Sequence, residues 1–163
     1  MPPSIVTLTM NPALDITTAT DTVDPTEKLR CSAARYDPGG GGINVARTAQ
    51  ALGAVATAVF PVGGPTGQTI IDLMHRASVP IREVRIAGPT RESFTVNERN
   101  TGRQFRFVLP GPTVTAEDEN RCLKALDEAA QGARFVVCSG SLPLGRRRIC
   151  TSVSPRYAAK QIH

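Results

Sequence analysis

The chain of 163 residues has no tryptophan and only two tyrosines and five phenylalanines, so it offers no aromatic platform on which nucleic-acid bases would stack. Metal-ligating residues are equally scarce. The four cysteines, Cys31, Cys122, Cys138 and Cys150, are widely separated and form no Cys-x-x-Cys pair, and only His75 and His163 stand beside them as nitrogen donors. That excludes the common zinc spacings. The same scatter argues against a disulfide framework and for free thiols in a reducing cytoplasm. No stretch approaches the roughly 18 consecutive apolar residues of a membrane span, and Met1-Pro2-Pro3-Ser4 does not open a basic, then apolar, secretory leader.

Acidic residues are missing from one region only. Residues 1–143 carry 14 basic and 14 acidic side chains, so the formal charge of +5 lies entirely in the last 20 residues, where Arg146, Arg147, Arg148, Arg156 and Lys160 occur without an acid. The basic isoelectric point therefore describes a tail and not a folded cationic face, and nucleic-acid binding is not expected. What remains, 40% hydrophobic and 20% charged residues, suits one soluble α/β domain.

The apolar, β-rich run Ile5–Met10 reads as a buried strand ended by Asn11-Pro12. Thr17–Val23 and Leu29–Tyr36 read as two small strands outside the main sheet, closed by Asp37-Pro38. Ile43, Val45, Ala46, Ala49 and Leu52 follow helical spacing up to Gly53, and Ala54–Phe60 is the next strand. Gly63–Gly67 is read as a turn into a helix over Gln68–Arg76, with His75 at its C-terminal end. A strand over Val79–Ala87 precedes a hairpin of Phe94–Glu98 and Gln104–Leu109, which with the earlier pair would complete a four-stranded lid. Thr115 is placed to cap a helix running to about Gln131, and Arg134–Cys138 forms the last strand before the loop Ser139–Pro143. This order predicts a parallel α/β core carrying a β insertion.

Two places carry candidate chemistry. Asp15 follows a strand's carboxyl end, where α/β sheets gather ligands, although a solvated turn aspartate fits the spacing equally well. The run Gly39-Gly40-Gly41-Gly42 opens a helix and would leave backbone N–H groups bare for a sugar or phosphate. It lacks the Lys-Ser/Thr of a phosphate-binding P-loop, and a tight turn explains a glycine cluster as well.

The segment Gly41-Gly42-Ile43-Asn44-Val45-Ala46, followed by Gly53 and Gly63, resembles the N-terminal signature of the ribokinase-like sugar kinases, the PfkB family. Thr7-Leu8-Thr9-Met10-Asn11-Pro12-Ala13-Leu14-Asp15 is similar to the opening of that family's phosphosugar branch. Glu27–Cys31, Pro38–Arg47, Phe105–Val108 and Ser139–Pro143 look most like its 6-phosphofructokinases, and Gly41 stands where 1-phosphofructokinases typically have lysine.

The resemblance implies an incomplete ribokinase-like parallel sheet with a small β lid, drawn from residues near 16–36 and 93–109, that closes over the sugar and pairs with a second subunit. It implies that Asp15, Gly40, Gly41, Gly42, Asn44, Ser139, Gly140 and Ser141 surround the sugar, that Arg91 grips its 6-phosphate, and that Lys28 reaches nucleotide phosphates. The implied reaction is phosphorylation of fructose 6-phosphate by MgATP, with fructose 1-phosphate and tagatose 6-phosphate as alternative substrates and a non-catalytic sugar-phosphate binder as the alternative role. The resemblance covers residues 1–145. Residues 146–163 are read as a divergent tail, and no Gly-Ala-Gly-Asp base motif occurs anywhere in the sequence. No catalytic residue is therefore assigned. The chain is expected to be inactive by itself and to need a complementing C-terminal half, with no metal held by its own residues.

Overall fold

The computed structural model describes residues 4–143, so the basic tail and Cys150 lie outside the described part. In chain order the elements are strands β1 (Ser4–Leu8), β2 (Ala13–Thr20) and β3 (Arg35–Gly39), helix α1 (Gly41–Ala51), strand β4 (Val55–Val62), helix α2 (Gly64–Arg76), strands β5 (Ile81–Arg85), β6 (Arg91–Glu98) and β7 (Gln104–Val108), helix α3 (Ala116–Ala129) and strand β8 (Phe135–Cys138). They build two sheets. The first is wholly parallel in the order β5-β4-β1-β8.

Its central strands, β1 and β4, read as largely apolar runs because both of their faces are covered. Side chains alternate across β4, so Ala56, Ala58, Phe60 and Val62 pack on α1 and α2, against Ile43, Ala46, Ile70 and Met74. Val59, with Val6 and Leu8 of β1, packs on the other face against Cys122 and Leu126 of α3. Burial, with the nearby Asp118 charge adding to it, pushes the Cys122 thiol up to about 12, so this cysteine is a core residue and not a nucleophile. Among the described residues no helix is long and apolar enough to cross a membrane.

The second sheet, ordered β3-β2-β6-β7, is the predicted four-stranded lid, but its first two strands lie elsewhere than read. β2 starts at Ala13 and ends at Thr20, because Ala13 and Leu14 are buried and continue the strand straight from Pro12. Asp15 therefore stands inside a lid strand and not in a turn. β3 is Arg35–Gly39, and Asp37-Pro38, read as a terminator, is part of it. Pro38 is tolerated because β3 is the edge strand of this sheet. Residues 21–34, read partly as strand, form the connecting loop. α2 begins four residues earlier than predicted, with Pro65 in its first turn, where a missing N–H costs nothing. The capping box of α3, with Thr115 accepting from the Asp118 N–H and the Asp118 carboxylate accepting in return, bears out the reading of that terminus.

The far tip of the lid is held by a buried carboxylate. Glu98 accepts hydrogen bonds from the Thr101 hydroxyl, from the Val23 N–H at 2.7 Å and from Arg103 at 2.9 Å, tying the β2–β3 loop to the β6–β7 turn. The Thr101 hydroxyl, then the Val23 amide and Arg103, hold this carboxyl below the usual glutamate value of 4.5. A depressed folded pKa means that the stabilisation is complete above 4.5 and is lost as pH falls through the lower folded value. Hydrogen exchange at Val23 and residues 99–103 is accordingly expected to accelerate on acidification below that value, and the acid-dependent step should disappear in Glu98→Gln.

Candidate functional site

The lid's register sets one row of side chains across its four strands. Asp37 of β3, Asp15 of β2 and Ser93 of β6 pair directly, and Val108 of β7 completes the row. The next row on the same face is Arg35, Thr17, Thr95 and Arg106. This face lines an open, largely polar cavity of about 780 Å³, which also reaches Arg47 of α1. Gly39 makes room for the Asp15 carboxylate, since a Cβ at that position would overlap both of its oxygens.

Asp15 is half-buried, and burial pushes its carboxyl above the ordinary aspartate range. Arg91 and Arg106 oppose that shift and Asp37 adds to it. Asp37 is itself paired, to Arg35 at 2.7 Å and to Arg47 at 3.6 Å. Arg91 opens β6, and its Nε and Nη2 donate to the Asn11 carbonyl at 3.4 and 3.2 Å, beside Asp15's own strand. Arg106, which sequence reading did not single out, is exposed and makes no hydrogen bond or ion pair among the described residues. Its influence on Asp15 is through its charge.

The glycine run and the last loop lie against each other. Gly40, at φ 124°, turns the chain from β3 into α1 in a conformation that suits glycine. Three of the N–H groups beyond it are taken. That of Gly42 donates to the Ser139 carbonyl at 3.0 Å, that of Ile43 to the buried Thr9 hydroxyl at 2.9 Å, and that of Asn44 to the Gly40 carbonyl at 2.9 Å. The glycines thus serve close packing of α1 on β1 and on the Ser139–Ser141 loop. A Cβ at Gly41 would lie 2.5 Å from the Ser139 hydroxyl oxygen. Ser139 in turn donates its N–H to the Leu8 carbonyl at 3.1 Å, and the Ser141 hydroxyl accepts from the Asn11 amide at 3.2 Å.

The structure therefore brings Asp15, Arg91, Gly40, Gly41, Gly42, Ser139, Gly140 and Ser141 around the ends of β1, β2 and β8. Asn44, in the first turn of α1, is exposed and lines a separate apolar depression of about 600 Å³ with Ile5, Val45, Ala49, Leu52 and Ala54. Lys28 is exposed in the 21–34 loop and makes no hydrogen bond or ion pair among the described residues. Thr9, Gly39, Asn11 and Arg106 were missed. Only strand register could have marked Arg106, and Thr9 acts through a helix cap contributed from 34 residues away.

Among the described residues no three His, Cys, Asp or Glu side chains come together to hold a metal ion, and Lys28 stands apart from the polar face.

Comparison with known proteins fits this geometry. The profile of the pfkB family carbohydrate kinases matches residues 8–159. Over 143 residues the chain is 61% identical to ATP-dependent 6-phosphofructokinase isozyme 2 of Mycobacterium tuberculosis, covering 88% of this chain and 42% of that protein. It is 30% identical over 141 residues to D-tagatose-1-phosphate kinase of Bacillus licheniformis, covering 86% and 45%. The crystal structure of Escherichia coli phosphofructokinase-2 in complex with fructose-6-phosphate superposes with a TM-score of 0.83 at 41% identity, over 90% of this chain and 48% of that one. The chain thus spans less than half the length of the relatives it matches.

Proposed function

Because the chain belongs to the pfkB family of carbohydrate kinases, we propose that residues 1–145 supply the sugar-phosphate half of a kinase site for fructose 6-phosphate, with MgATP as phosphoryl donor and O1 as acceptor. The observation that carries this reading is the polar lid face bearing one half-buried carboxylate, Asp15, whose charge is felt by two guanidinium groups, Arg91 and Arg106. A carboxylate of this kind accepts hydrogen bonds from two sugar hydroxyls, and planar guanidinium groups suit a phosphate. The Ser139–Ser141 loop would complete the pocket, and Lys28, exposed in the 21–34 loop, would address nucleotide phosphates away from the sugar; Asn44, on the separate apolar depression, is left out of the pocket. Fructose 1-phosphate and tagatose 6-phosphate present similar groups and are the competing ligands.

Charge stabilisation and proton removal at the sugar hydroxyl have no assigned residues in this sequence. Negligible turnover by the chain alone, and turnover with a complementing nucleotide-binding half, is the expected pattern. A coupled ADP-release assay with MgATP and fructose 6-phosphate tests it. Turnover by the chain alone would contradict the division of labour.

The lid's other face favours a second copy as partner. Tyr36 and Phe107, at the two ends of a row across the lid, are 49% and 56% exposed, while Ile16 between them packs on the chain's own core. Two such faces would cover each other's apolar surface. Phe107→Glu is expected to shift the chain from dimer to monomer in sedimentation velocity; an unchanged sedimentation coefficient would rule this surface out.

A further inference from the structure

Three segments far apart in sequence meet at Asn11. Its side-chain amide donates to the Ser141 hydroxyl at 3.2 Å and to the Leu142 carbonyl at 3.4 Å, fastening the loop after β8 to the loop after β1. Its main-chain carbonyl accepts from Nε and Nη2 of Arg91 at 3.4 and 3.2 Å. Gly111, in the connection from β7 to α3, presses on the same residue: a Cβ there would overlap the Asn11 amide oxygen and come within 3.3 Å of Arg91 Cδ.

We propose that Asn11 is a positioning residue for the sugar phosphate, holding the Ser139–Ser141 loop and the Arg91 guanidinium in one register. This inference rests on the sugar-phosphate reading above and assigns within it a residue that touches no ligand itself. The chemistry asks for a carboxamide. Its NH₂ group offers two donors to a hydroxyl and a carbonyl that both accept, which aspartate cannot do and alanine leaves undone. The contacts to Arg91 are long, neutral-acceptor hydrogen bonds, so they orient the guanidinium without competing strongly against a phosphate, which forms shorter charge-assisted bonds. Of Arg91's five N–H donors the carbonyl engages two groups, leaving Nη1 for the anion.

The test is a double-mutant cycle on the full chain, read by calorimetric titration with fructose 6-phosphate and by thermal melting. Asn11→Ala is expected to weaken binding about tenfold, the effect of losing one or two orienting hydrogen bonds, with little change in Tm. Ser141→Ala should cost a similar factor, and the double variant should lose no more than the weaker single one, because Asn11 acts through that loop. Gly111→Ala, which displaces the amide without deleting it, should reproduce the loss and keeps the proposal open to refutation if Asn11→Ala folds poorly. Wild-type affinity in both Asn11→Ala and Gly111→Ala, or losses that multiply in the double variant, would overturn the proposal. Absence of fructose 6-phosphate binding by the wild-type chain would instead overturn the sugar-phosphate reading, and Asn11's role with it.

Discussion

Asp15→Asn is expected to weaken fructose 6-phosphate binding by about 100-fold or more while raising the Tm of the ligand-free chain at neutral pH. The affinity loss follows from exchanging charge-assisted hydrogen bonds to two sugar hydroxyls for weaker neutral ones, each exchange worth about 1–2 kcal/mol. The stability gain follows from the site's electrostatics. Burial raises the carboxyl's pKa and Asp37 across the strand pair raises it further, while Arg91 and Arg106 offset only part of this. With the folded pKa above the unfolded one, the favourable contribution of this group is complete below the unfolded value and is lost as pH rises through the folded value. At pH 7 the ionised side chain therefore disfavours the fold, and asparagine removes that cost. Thermal melts of both proteins from acid to neutral pH should show the variant's advantage growing with pH. An advantage that shrinks would contradict the raised carboxyl, and unchanged affinity would show that Asp15 is not the sugar's carboxylate.

The largest loss of stability is expected from Gly42→Ala, about 2–3 kcal/mol by chemical denaturation, within the range for overpacking a rigid site. Its Cβ would stand 2.6 Å from the Thr9 hydroxyl oxygen and 2.7 Å from the Leu8 carbonyl oxygen. Neither neighbour yields easily. Thr9 caps Ile43 at 2.9 Å, and Leu8 is laddered to Val59 of β4 on one side and to Cys138 of β8 on the other. Relief would move α1 off β1 and break the 3.0 Å bond from the Gly42 N–H to Ser139, so sugar-phosphate affinity should fall together with stability. Gly53→Ala makes the contrasting control. Nothing lies within 4 Å of its added methyl, and only the left-handed backbone at φ 85° opposes it, a cost of about 1 kcal/mol with no effect on binding. A Gly42→Ala protein as stable as the wild type would mean that helix and strand are not locked together as described.

These two sites also show what sequence could and could not convey. β1 and β4 were legible because strands covered on both faces are largely apolar, β8 because it is a short apolar run, and Thr115 with Asp118 announced the start of α3 through local chemistry. The lid strands were misplaced where local signals misled. Pro38 reads as a breaker unless its strand is known to be an edge, and Ala13-Leu14 is too short an apolar run to reveal that β2 begins immediately after Pro12. Asp15 and the glycine run stood out from their spacing with a turn as an equal alternative, and the serine loop entered through resemblance to a family, which carries motifs but not register. Arg106 and Asn11 have no local signature. Arg106 matters because register places it on Asp15's face, and Asn11 because residues 80 and 130 positions away converge on it.

The polar lid face is proposed to receive a phosphorylated sugar through Asp15. Titration of the wild-type chain with fructose 6-phosphate, in parallel with fructose and without nucleotide, tests it most directly. Saturable binding at one site per chain is expected, with much weaker binding of fructose for want of the phosphate that Arg91 and Arg106 would meet, and loss of both in Asp15→Asn. Folded protein that shows no saturable binding, or binds equally well with and without Asp15, would contradict it.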